Sequence, residues 1–135
     1  MVTHHHPNGL TLRLPDELSI VQGDDGFTIR PAGFESRRVY DETRVRLVAR
    51  GGLPPGDWPE RRTVGDSTYA YRIERVGEGS GGEEWRLAAY ADVGGRFILC
   101  VHHTQVEVSP PDFEPAWRIL GGASLGGPAR PIPSR

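Results

Sequence analysis

The sequence predicts a mainly β domain of the α+β class: an antiparallel, meandering sheet with one C-terminal helix packed on a face. Two observations lead there. The dominant apolar spacing is two, broken at intervals by Gly, Asp and Pro turns, which is the signature of half-buried strands. Only one segment, Phe113, Ala116, Trp117 and Leu120, repeats at i, i+3, i+4 and i+7, as one helix stripe does. A length of 135 residues suits a single domain. We expect residues 1–135 to form it, with an ordered core of about 7–122 and a Pro-rich tail at 126–135.

The first strand is set by Leu10, Leu12 and Leu14 alternating with Thr11 and Arg13, after the turn residues Pro7-Asn8-Gly9. Leu18 and Ile20 open a second. Gly23-Asp24-Asp25-Gly26 turns the chain, because Asp and Gly tolerate positive φ. Phe27 and Ile29 return it as far as Pro31. Residues 32 to 43 leave loop and short helix both open. Val45, Leu47 and Ala49 then alternate with Arg44, Arg46 and Arg50. Gly51 to Pro59 holds three prolines and reads as a rigid surface loop carrying Asp57 and Trp58.

Two further strands, Thr68 to Val76 and Trp85 to Ala91, flank a glycine-rich acidic stretch. Gly94-Gly95 makes another turn. Phe97 to Val101 is apolar on both faces, as a covered central strand is. Beyond it the apolar parity changes towards Val106 and Val108, and a β-bulge near His102-His103 accounts for the change. Pro110-Pro111-Asp112 begins the helix with Asp112 as N-cap, and Gly121-Gly122 ends it.

Composition excludes several functions. All sixteen basic residues are arginine, the net charge is −2, and the arginines alternate with acids. No basic stripe is present to hold nucleic acid. The single cysteine, Cys100, rules out an internal disulfide and a cysteine-rich zinc site. No apolar run approaches the roughly 18 residues of a membrane span. No signal peptide is visible, and we read the short Met1-Val2 start as one placed after a removed export signal.

Gly77 to Trp85 is the most informative stretch. It reads as a hairpin loop longer than the usual two to five residues. A phosphate loop needs a lysine and a following helix N-terminus, and this one has neither. Glu78, Glu83 and Glu84 would repel an anion. A projecting acidic tip instead suits contact with a cationic or hydrogen-bonding partner. The expected partner-binding residues are therefore Glu78, Gly79, Ser80, Gly81, Gly82, Glu83 and Glu84, joined by Asp57 and Trp58 from the Pro-rich loop.

Other chemistry fares worse. His4-His5-His6 and His102-His103 read as solvated or edge histidines, because adjacent strand residues face opposite ways. Asp24-Asp25 is turn chemistry, and one of Glu83 and Glu84 must face outward, so no acid pair suits glycoside hydrolysis. Gly79-Ser80-Gly81 lies between strands, where a nucleophile elbow needs a strand-to-helix turn. Tyr69, Tyr71, Trp85 and Phe97 read as cross-strand core pairs, and Trp117 as core. Trp58 is either a lid over the sheet or an interface anchor. No catalytic residue and no metal ligand is assigned.

Four stretches occur in order: His6-Pro7-Asn8-Gly9-Leu10-Thr11-Leu12-Arg13-Leu14-Pro15, Gly26-Phe27-Thr28-Ile29-Arg30-Pro31, Gly79-Ser80-Gly81-Gly82-Glu83-Glu84-Trp85, and Pro111-Asp112-Phe113 with Ala116-Trp117. Together, over roughly residues 6 to 122, they resemble the type VI secretion immunity proteins that protect bacteria from a peptidoglycan-cutting muramidase effector. The resemblance implies a non-enzymatic periplasmic protein, often a lipoprotein in its precursor, that blocks the sugar groove of a secreted cell-wall hydrolase. It implies no intrinsic cofactor, with calcium at or near the effector complex. The rival reading is a small periplasmic ligand-binding envelope domain, which calls for a deep apolar pocket. An enzyme acting on glycans ranks last.

Overall fold

Alternation along the chain resolves into ten strands and one α-helix among the residues described by the computed structural model, which are 1–31, 41–79, 82–106 and 111–126. The strands are β1 Val2–His5, β2 Leu10–Leu14, β3 Leu18–Gln22, β4 Gly26–Pro31, β5 Asp41–Val48, β6 Glu60–Val64, β7 Ser67–Gly79, β8 Gly82–Asp92, β9 Phe97–Val106 and β10 Ala123–Leu125; α1 is Glu114–Gly121. The mainly antiparallel class with a late helix is as the sequence predicts. The layering is richer: there are two sheets. A three-stranded sheet has the order β1-β2-β10, and a seven-stranded sheet has the order β3-β4-β5-β9-β8-β7-β6. The chain changes sheets at Pro15, and β9 inserts beside β5, so the larger sheet is no simple meander.

The core lies between one face of the large sheet and a cover made of the small sheet and α1. Leu10, Leu12 and Leu14 point in from β2 and meet Phe27, Ile29, Val45, Leu87, Ala89, Ile98 and Cys100. Burying each leucine is worth about 1.5–3 kcal/mol. The helix adds Ala116, Trp117, Ile119 and Leu120, with Phe113 buried just before it. Trp117 makes T-shaped contacts with Tyr69 and Tyr71, at centroid distances of 6.3 and 5.0 Å. The opposite face of the large sheet carries a smaller cluster, Val48, Phe97 and Leu99, flanked by Leu53, Trp58 and Tyr90.

Four expectations need correction. First, β9 has no bulge at His102-His103, because its register runs unbroken against both β5 and β8. The core side simply changes from apolar to paired polar groups: buried His102 meets the Thr43 hydroxyl through Nδ1 at 2.6 Å. Second, His102 and His6 are buried rather than solvated. His6 Nε2 lies 2.8 Å from the Gly23 carbonyl, and its Nδ1 accepts from the Asn8 N–H, so the ring ties β1's end to the β3–β4 turn. Third, Phe97 packs on the face opposite Tyr69 and Tyr71, since strand neighbours alternate. Fourth, Asp112 is not the N-cap; Phe113 holds that position, while Asp112 Oδ1 accepts the Glu114 N–H at 2.9 Å. Strands β1, β6 and β10 were not read from the sequence. Residues 41–43 join β5, and the remainder of the 32–43 question lies outside the described residues, as do Val108 and Pro110.

Candidate functional site

The glycine-rich stretch is built as a ladder rather than a long loop. Pairing between β7 and β8 continues through Gly77↔Glu84, Glu78↔Glu83 and Gly79↔Gly82. Backbone hydrogen bonding asks nothing of the side chain, so glycine and glutamate extend the strands despite low β-propensity. The register shifts once, between Arg75 and Gly77. Val76 is the extra residue, and such a bulge sharpens the local twist. Of the expected contact residues, Ser80 and Gly81 lie outside the described residues. Glu78, Gly79 and Gly82 are placed by their backbone pairing.

The two remaining glutamates take opposite faces. Glu83 Oε2 pairs with Arg75 Nη1 at 2.9 Å, and its Oε1 accepts from Trp85 Nε1 at 3.4 Å. Glu84 Oε2 lies 3.5 Å from His103 Nε2 on the other side. This separation excludes the pair as two acids on one substrate. On the Glu83 side, Trp85 is half-buried, and Ile73, diagonal to it across the ladder, is 45 % exposed; Val76 at the bulge is 39 % exposed. Trp85 therefore belongs to a partly open apolar strip as well as to the core margin. The exposure of Ile73 and Val76 was missed, since strict alternation assigns Ile73 to the core.

Trp58 lies over the outer face of the large sheet. It stands edge-on to Tyr90 at 4.9 Å, and the Arg72 guanidinium lies 4.3 Å over its ring. Arg72 Nη1 donates to the Pro55 carbonyl at 2.8 Å, fixing the loop to the sheet. Gly56 is obligatory there, with φ +110° and a Cβ position 2.7 Å from Arg72 Nη1. The Asp57 side chain is exposed. Tyr90 and Glu84 are six residues apart on β8, about 20 Å of strand. The structure thus does not bring Asp57 and Trp58 together with the hairpin tip.

Elsewhere the polar clusters are structural. His102 Nε2 lies 2.8 Å from Asp41 Oδ1, completing an Asp–His–Thr chain with Thr43. Thr43 and His102 are 2 % and 3 % exposed, so no substrate can reach the hydroxyl. Glu42 is buried between Arg30 and Arg44, at 2.7 and 3.0 Å. Burial pushes the Cys100 thiol up to about 12, which removes its nucleophilic form. Among the described residues no three His, Cys, Asp or Glu side chains cluster as metal ligands, and no helix is long and apolar enough to cross a membrane.

Comparison with known proteins bears on this hairpin-bearing sandwich. The family model described as the type six secretion immunity 3 domain matches residues 11–124. The Pseudomonas aeruginosa PAO1 protein "Immune protein Tsi3" is 31% identical over 120 residues, covering 89% of this chain and 79% of that protein. A crystal structure from Bacteroides thetaiotaomicron VPI-5482 superposes with a TM-score of 0.71 at 12% identity. The match covers 97% of this chain and 50% of that one, and is a likeness of fold.

Proposed function

The chain belongs to the type six secretion immunity 3 family, and from that premise we propose that it neutralises a peptidoglycan-cutting muramidase by filling its sugar groove. It is an immunity protein of type VI secretion, and its partner is a cognate effector. The finer reading places the encounter in the periplasm, with inhibition by binding rather than catalysis and with calcium at or near the complex. A lipid anchor on the precursor belongs to the same reading.

The observation that supports groove filling is the distal half of the β7–β8 hairpin. It carries a partly open pair of apolar side chains, Trp85 and Ile73, beside the Arg75–Glu83 ion pair, with Val76 exposed at the adjoining bulge. A partly buried tryptophan edged by polar groups is the usual make-up of an interface anchor. Ladder pairing up to Gly79↔Gly82 orders this segment before binding, which lowers the entropy lost on association. A groove built for a polysaccharide offers hydrogen-bonding groups and a stacking surface, and the strip supplies both. A stable complex covers about 800 Å² on each partner, so surfaces beyond the tip must also join.

Co-expression with the product of the adjacent gene, followed by titration calorimetry and a peptidoglycan-turbidity assay, tests the proposal. We expect a stable complex that abolishes turbidity loss. Ile73→Glu should weaken it at least tenfold, with thermal stability close to the parent because the site is already half open. Shortening Gly79–Gly82 should do the same. Normal affinity in both variants would remove the hairpin from the interface while leaving the immunity role intact. Inhibition of an effector that cuts no glycan would overturn the muramidase assignment. Repeating the titration in EDTA decides whether calcium takes part.

A further inference from the structure

A second site lies at the other side of the core, where β2 gives way to β3 beneath the helix. Leu14, Leu18, Pro115 and Ile119 help to line a cleft of about 750 Å³ there, within the range of small-molecule sites. Arg13 and Arg118 line it too. These two differ from most arginines of the fold. Arg30, Arg44, Arg46, Arg62, Arg72, Arg75 and Arg86 each meet a carboxylate within 4 Å. Among the described residues, Arg13 and Arg118 have no such partner. Glu114, one turn before Arg118, forms its ion pair with Arg62 at 2.9 Å and interacts with Arg118 only at longer range. Glu17 is the acid on the cleft, which leaves its lining side chains with one net positive charge.

We propose that this cleft binds an anionic amphiphile: a single acyl chain along the apolar wall, with its carboxylate or phosphate head held by Arg13 and Arg118. Arginine suits such a head because its planar fork gives paired, charge-assisted hydrogen bonds. The chain's own residues 127–135 are a poorer occupant on charge, since Arg130 and Arg135 would be brought towards two further arginines. The proposal is independent of the effector interface.

Titration calorimetry of the whole protein with dodecanoate, below its micelle concentration, tests the site. One-to-one binding is expected, at least tenfold tighter than dodecyltrimethylammonium, which has the same tail and the opposite head. Arg13→Gln with Arg118→Gln should erase that preference; both side chains are exposed, so folding is unaffected, and a thermal melt verifies this. Co-sedimentation with phosphatidylglycerol against phosphatidylcholine vesicles separates the two sources of the head group: selective pelleting indicates a bilayer lipid, and its absence with dodecanoate bound indicates a free acid. No saturable binding up to millimolar dodecanoate would overturn the proposal. So would equal affinity for the two heads, or an unchanged preference in the double variant. A large rise in affinity on removing 127–135, or mass doubling with concentration, would assign the cleft to the tail or to a second copy instead.

Discussion

At the scale of single residues, two sites have consequences that can be measured. The Asp25 carboxylate accepts from Arg46 Nε, and this hydrogen bond holds it below the ordinary aspartate value despite some desolvation. A depressed folded-state pKa stabilises the fold above the unfolded value of 3.8, and that contribution is lost as pH falls through the folded value. Both side chains are about two-fifths exposed, so screening limits the pair to about 0–1 kcal/mol. Asp25→Asn should therefore lower the urea midpoint slightly at pH 7, and the gap should close below about pH 4. A gap that widens in acid would refute the assignment. Gly122 is a sharper case. Its φ is negative, yet a Cβ there would stand 2.2 Å from the Arg13 carbonyl oxygen. Gly122→Ala should cost about 1–3 kcal/mol, whereas Gly51→Ala, with open space around it, should be close to neutral in the same urea series.

At the scale of elements, what the sequence displayed depended on where the binding energy of each strand comes from. The β3–β4 hairpin, the helix stripe and the two-faced strand β9 were legible because their own side chains carry the pattern. Trp117 is the strongest instance: it was read as core, and it lies 5 % exposed under the two tyrosines. Trp117→Ala should destabilise the protein by about 3–5 kcal/mol, checked by denaturant unfolding; a loss under 1 kcal/mol would contradict the packing. Strands β1, β6 and β10 were not legible, since three to five residues of mixed polarity become strands only through the neighbour they pair with. The hairpin tip was misread for a related reason. Its glycines and glutamates lack strand propensity, and backbone pairing overrides that. His102 shows the converse: a polar residue on the core side looked like a break in register until its partner, Thr43, was placed 59 residues away. Of the candidate contacts, the acidic hairpin was visible, while the exposure of Ile73 and Val76 was hidden by regular alternation. The loop around Trp58 carried no periodic signal that could fix its distance from the tip.

At the scale of the whole molecule, two sheets and a helix share one core, and each candidate surface lies where that cover ends. The distal hairpin runs out beyond α1, and the arginine-lined cleft opens where the small sheet gives way to β3. Stability should therefore be graded. Hydrogen–deuterium exchange is expected to leave the amides of β9 protected longest, because that strand is paired on both sides and covered on both faces. Fastest exchange in β9 relative to β6 would contradict the topology. The position of β9 also bears on synthesis. Its partner β5 ends at Val48, and β9 begins only at Phe97, so Val45 and Leu47 leave the ribosome long before their neighbour exists. Until then β5 presents an unpaired edge of the kind that recruits other chains. A transcript truncated ahead of Phe97 should yield an aggregating fragment, and the full chain should acquire protease resistance only after β9 has emerged.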